Sequence, residues 1–154
     1  MIIIVLSFTF LNLQAVNVAS RMSDNLKDKS ELNLDAAKIL LENRLYDSIC
    51  HPAYYACLQL MSYKLIRKGT SLKEQSSEIS QRYYGHSHKY LINKTSSIIK
   101  FNNYRDKLLY EGAIKKLKAK REDSDYHDVR IAPNEGEKCI ELAEQVITYL
   151  KTIV

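Results

Sequence analysis

The chain has 154 residues, 45% of them hydrophobic and 27% charged, which suits one domain of ordinary size and excludes a multidomain enzyme. Only 4 Gly and 2 Pro occur, too few turn-formers for a sandwich or barrel and too few glycines for a phosphate-cradling nucleotide fold. The 23 Lys+Arg against 18 Asp+Glu give a net charge of +5, which favours a polyanionic partner such as RNA without demanding one.

Residues 1–19 carry no charge, yet the apolar run from Ile2 to Leu11 is shorter than the roughly 20 residues a membrane-spanning helix needs. No basic residue precedes the run, as a secretory signal requires, although Val18-Ala19-Ser20 is a tolerable cleavage site. The preferred reading is a start at Met22, because the segment that follows it resembles an ordinary cytosolic beginning; a signal-like segment or an ordered extension are the alternatives. Residues 1–29 are accordingly set outside the fold, with the domain at 30–154. Cys50, Cys57 and Cys139 make an odd number with no paired spacing, which fits a reducing, cytoplasmic compartment and buried thiols better than a disulfide framework. No second ligand pair exists for zinc, so no metal and no cofactor are expected.

From Ser30 to Leu45, Leu32, Ala36, Ile39 and Leu40 follow helical spacing with Glu31, Asp35, Lys38 and Glu42 opposite. A second helix begins between Ser48 and Pro52, since proline is tolerated only in a first turn. Its inward stripe is Ala53, Ala56, Cys57, Leu60, Met61 and Leu65, and Gly69 is placed to cap it in a left-handed conformation. Ser71-Leu-Lys-Glu74 has the form of a capping box, opening a helix over Leu72–Tyr84 that Gly85 ends. Helical pattern resumes over His88–Phe101 and again over Tyr104–Arg121, where Leu108, Leu109, Ala113, Ile114 and Leu117 point inward and a basic end suits the helix dipole. A polar stretch leads to Asn134-Glu-Gly-Glu137, a second capping-box-like start, and a stripe of Ile140, Ala143, Ile147, Leu150 and Val154. Strict alternation is absent. The expected fold is all-α, an antiparallel up-and-down bundle of four to five helices.

Leu34-Asp-Ala-Ala-Lys-Ile-Leu-Leu41 followed by Tyr46-Asp-Ser-Ile-Cys-His-Pro-Ala-Tyr-Tyr-Ala56 resembles the first two helices of HEPN domains. The match is strongest to the branch with an A-Y-Y-A core in its second helix, here Ala53 to Ala56, and an R-x-x-x-D-Y element, here Arg121 to Tyr126. The resemblance covers about Leu32 to Val154. It implies a small helical bundle, often a homodimer, found in prokaryotic toxin–antitoxin and defence systems and often paired with a minimal nucleotidyltransferase. Active members are metal-independent endoribonucleases that use an Arg and a His a few residues apart. Arg121 and His127 are the pair offered here, although Glu122 stands where the family motif has Asn and Asp125 lies near the usual place of the His. The alternative that the resemblance implies is an inactive module that binds nucleotide or RNA beside the nucleotidyltransferase. Tyr126, close to the motif, is then the candidate for adenylation by that partner.

Metal-free RNA cleavage needs a base for the 2′-hydroxyl proton and a cation for the phosphate, roles that suit His127 and Arg121. Five residues intervene, which puts the two on different faces of an ideal helix, so they converge only if the helix ends near Asp125 or a second subunit completes the site. The plainer alternative pairs Arg121 with Asp125 one turn on and leaves His127 in solvent. His51, before Pro52, reads first as a capping or packing residue, and with Tyr54 it is placed to line the same cleft. Of Tyr54 and Tyr55, one ring is expected to pack inward and the other outward. His86 and His88 lack companions for a metal, and His88 is a binding candidate only if it falls near Arg121. Arg82, Tyr83, Tyr84, Lys89, Tyr90 and Lys94 interleave rings with cations, which suits either base stacking or ordinary bundle packing.

Overall fold

The computed structural model describes residues 24–154. The candidate start at Met22 and the signal-like run lie outside them. The described residues form six helices, so the bundle is all-α as expected, with one element more than the four to five anticipated. They are α1 (24–42), α2 (Cys50–Arg67), α3 (Leu72–Tyr83), α4 (Ser87–Ile98), α5 (Tyr104–Tyr126) and α6 (Pro133–Lys151), with a single 3₁₀ turn at Tyr46–Ser48 ahead of α2. No helix among the described residues is long and apolar enough to cross a membrane.

Helix α2 is the hub, packed against α4, α5 and α6, while α5 also lies along α6. Its stripe explains why: Ala53, Ala56, Cys57 and Met61 are fully buried, and the small side chains let neighbouring backbones approach. Pro52 sits in the first turn, where its missing amide hydrogen leaves no ladder bond unmade. Gly136 of α6 faces the chain just before α2 so closely that a Cβ there would stand 2.8 Å from Ile49 Cδ1. One buried polar pair in the core is matched, Thr95 Oγ1 and Tyr110 Oη lying 2.8 Å apart.

Helix α1 is already helical at residue 24, ahead of the expected Ser30, and it docks through Ser30, whose hydroxyl donates to Ala56 O at 2.7 Å, and through the buried Ala37. Leu32 and Ile39, expected inward, are exposed: α1 meets α2 at Asn33–Gln59 and α6 at Lys38–Glu144, and the stripe it turns inward is narrower than its apolar spacing. Leu108, Leu109 and Val154 are likewise exposed.

The Ser71–Glu74 capping box forms as expected, with Ser71 N donating to Glu74 Oε2 at 2.7 Å. Left-handed backbone at Tyr84 (φ 50°) and Gly85 (φ 83°) then breaks the chain between α3 and α4, so the two stay separate helices. At α6 the expectation fails: Ala132 is the N-cap without a side-chain bond, and Pro133 opens the helix, its fixed φ supplying the start that Asn134 was expected to give. Helix α5 also runs past Arg121 to Tyr126, so its last turn carries no basic residue. That extension sets Arg121 and Asp125 one turn apart.

The cysteine expectation is corrected too. Cys50, the first residue of α2, and Cys139 of α6 form a disulfide with Cα atoms 5.4 Å apart, leaving Cys57 as the free, buried thiol. The partners are 89 residues apart in sequence, and helix packing rather than local spacing brings them together.

Candidate functional site

The end of α5 and the first turns of α2 and α4 meet in one cluster of rings and charges. At its centre Asp125 Oδ2 lies 2.8 Å from His51 Nδ1 and 2.7 Å from Arg121 Nε. The second contact is an ion pair whose angle falls short of a hydrogen bond, so the guanidinium is neutralised by charge more than by direction. Its Nη2 donates to Tyr126 Oη at 3.0 Å and, at 3.5 Å, to Tyr55 Oη. The guanidinium carbon sits 4.8 Å from the Tyr126 ring centre and 5.6 Å from that of Tyr55. Burial works against the charge of Arg121, but the Tyr126 hydrogen bond and Asp125 more than offset it and hold the proton in place.

Tyr55 is the platform. His51 stacks on it with ring centres 4.5 Å apart, a contact that the i,i+4 spacing on α2 provides. His88, from the first turn of α4, meets Tyr54 edge-on at 5.5 Å and Tyr55 at 5.9 Å. Tyr54 is the inward ring, fully buried, with a hydroxyl that has no hydrogen-bond partner and whose pKa burial pushes up strongly. Of the sequence candidates, His51, Tyr54, His88, Arg121, Asp125 and Tyr126 are therefore brought together. His127 is not: its ring pairs with Asp123 at 3.1 Å on the exposed side of α5's last turn. The imidazole beside Arg121 is instead His51, 74 residues from its carboxylate partner.

Tyr55 was not singled out as a site residue. Lys118 and Glu122, one turn before Arg121 and immediately after it, were also missed, and both line an open cavity of about 500 Å³ with Gly85, His86, Ser87, His88 and Lys89. No three His, Cys, Asp or Glu side chains among the described residues are grouped to hold a metal ion.

Burial lowers the pKa of His88, and the charges of Arg121 and Lys118 lower it further. Its ring is therefore expected to titrate below the ordinary 6.5 in an NMR pH series. The unfolded chain takes up that proton near 6.5, so stability falls as pH drops below that value toward the folded one, and His88→Gln flattens the dependence. A measured pKa at or above 6.5 refutes this.

Comparison with known proteins adds one positive result: the model of the HEPN domain family matches residues 23–153. No curated protein and no solved structure matches the chain.

Proposed function

Because the chain belongs to the HEPN domain family, we propose that it is a metal-independent endoribonuclease of a cytoplasmic toxin–antitoxin or defence module, with its chemistry centred on His51 rather than His127. The observation that supports this is the single carboxylate oxygen of Asp125 shared between His51 Nδ1 and Arg121 Nε. A carboxylate on Nδ1 fixes the tautomer and leaves Nε2 of a half-exposed ring free to accept a proton. In the proposed step His51 Nε2 takes the proton of a ribose 2′-hydroxyl and the 2′-oxygen bonds to phosphorus. The bond to the 5′-oxygen breaks, and that oxygen takes up a proton from water. Arg121 supplies positive potential beside the phosphorane, and Asp125 stabilises the imidazolium that forms. Homodimerisation belongs to the same reading, since the Tyr126 ring of the cluster stands exposed.

A second reading has one observation in its favour: the Arg121 side chain is only 8% exposed and already neutralised. An enclosed guanidinium suits a scaffold better than a phosphate clamp, and the exposed ring of Tyr126 is then a surface for a minimal nucleotidyltransferase to modify.

Cleavage of an oligoribonucleotide in excess EDTA tests the choice. His51→Ala is expected to lose about a hundredfold or more of the rate, the usual scale for removing a general base, while His127→Ala stays close to wild type. Loss on His127→Ala with His51→Ala unaffected moves the base to His127. No cleavage by the wild type, together with adenylation of Tyr126 by the partner, selects the second reading.

A further inference from the structure

The cavity beside His88 does not end at the cluster. It meets a second one, about 570 Å³, at the shared residues Lys89 and Lys118, and this runs between α4 and α5 past Asn93 to Lys115 over an apolar floor of Ile92 and Ile114. Between Lys115 and Glu122 the groove follows α5 for about 10 Å, two helical turns. Two carboxylates line it, and each already has a cation: Glu122 lies 3.2 Å from Lys118 and Glu111 lies 3.8 Å from Lys107, with Ser96 donating to Glu111 at 2.7 Å. Lys89 and Lys115 are exposed and have no carboxylate partner among the described residues. Lys118 is taken up by Glu122, but with both lining acids paired the two free lysines leave the groove net positive.

Continuity with the cluster is ring to ring. His51 stacks on Tyr55, Tyr55 meets His88 edge-on, and His88 is the wall at which the groove opens. Beneath that wall lies the buried, unpartnered hydroxyl of Tyr54, close enough to Glu122 and Arg121 to feel both charges.

We infer that the α4–α5 groove is a binding subsite for single-stranded RNA flanking the phosphate at His51, with Lys89 and Lys115 on phosphates and riboses or base faces against Ile92 and Ile114. This rests on the RNA-directed reading above and names how its substrate is held. The apolar floor selects single strands, because a duplex keeps its base faces stacked inside and offers only phosphates to such a surface.

Binding of a fluorescent single-stranded 12-mer RNA to the full chain, followed by anisotropy across a salt series, tests the assignment. Lys89→Ala/Lys115→Ala is expected to weaken binding and to reduce the slope of log affinity against log salt by about 1.4, two contacts at about 0.7 each. Lys68→Ala/Lys73→Ala removes the same charge from exposed sites outside the groove and is expected to leave the slope unchanged. Equal slopes for both double variants, equal binding of a duplex of the same sequence, or no binding by the wild type overturns the subsite. His51→Ala, read by cleavage alone, decides the nuclease reading separately.

Discussion

Asp125→Asn is expected to destabilise the fold by about 2–3 kcal/mol, on the scale of stripping one partner from a largely buried ion pair and discounted for the partial exposure of the carboxylate. The reason is that Arg121 cannot respond by losing its proton. A guanidinium stays charged at any working pH, so with Asp125 neutral the side chain keeps a full charge at 8% exposure, with only the hydroxyls of Tyr126 and Tyr55 as partners. Asp123→Asn is the control. It removes the carboxylate from His127 one turn along the same helix, where both side chains are more than half exposed, and is expected to change stability by no more than about 0.5 kcal/mol. Urea midpoints measure both. Arg121→Met/Asp125→Asn should recover much of the loss, since removing the stranded charge removes the penalty, and a midpoint for Asp125→Asn equal to wild type shows that the pair does not hold the end of α5. The same substitution is expected to depress RNA cleavage at temperatures where the variant is fully folded, because His51 then loses the acceptor that orients its Nδ1.

Much of this was legible along the chain, and what was not has a common physical cause. Helix α2 could be read closely because each signal was local: the three-and-four stripe from Ala53 to Leu65, Pro52 in the first turn and Gly69 at the end. The Ser71–Glu74 box was legible for the same reason, both bonds closing within four residues. Local signals misled where a neighbour decided the outcome. Leu32 and Ile39 have helical spacing yet face out, because spacing along α1 cannot say how many partners will cover it. The resemblance carried the order of motifs to Arg121 and, through its Arg-to-His spacing, offered His127 as the imidazole, whose ring lies against Asp123. The fold put His51 beside Arg121 across the junction of α2 and α5, and the only forward hint was that His51 and Tyr54 were placed to share a cleft with the Arg121 element. Tyr55 could be read only as one of two rings of which one faces out; its role is to be stacked upon, and stacking leaves no signature in spacing beyond the i,i+4 relation to His51.

Reduction of the Cys50–Cys139 bond is expected to lower stability by about 4.6 kcal/mol, the chain-entropy value for a closed loop of this length. The loop spans 89 residues, from the first residue of α2 to the second turn of α6, and so encloses α2 to α5 entirely. For a domain of this size the melting temperature should fall by on the order of 10 °C in reductant. Cys57→Ser keeps the bond and should respond to reductant as the wild type does, whereas Cys139→Ser should melt at the reduced value under either condition. Identical melting of the two redox forms, each verified by mass, would show that packing of α2 on α6 holds the junction unaided. Position makes the bond matter for the site as well as for the fold. Cys50 precedes His51, so the bond pins the turn that presents the imidazole to Asp125, and it lies among fully buried residues where reductant enters only when α2 and α6 part. With the bond reduced, the Asp125 contact and the stack on Tyr55 are left to place His51. Asp125→Asn should accordingly depress cleavage more in reductant than in the oxidised protein, and equal losses in the two states would separate the disulfide from the site.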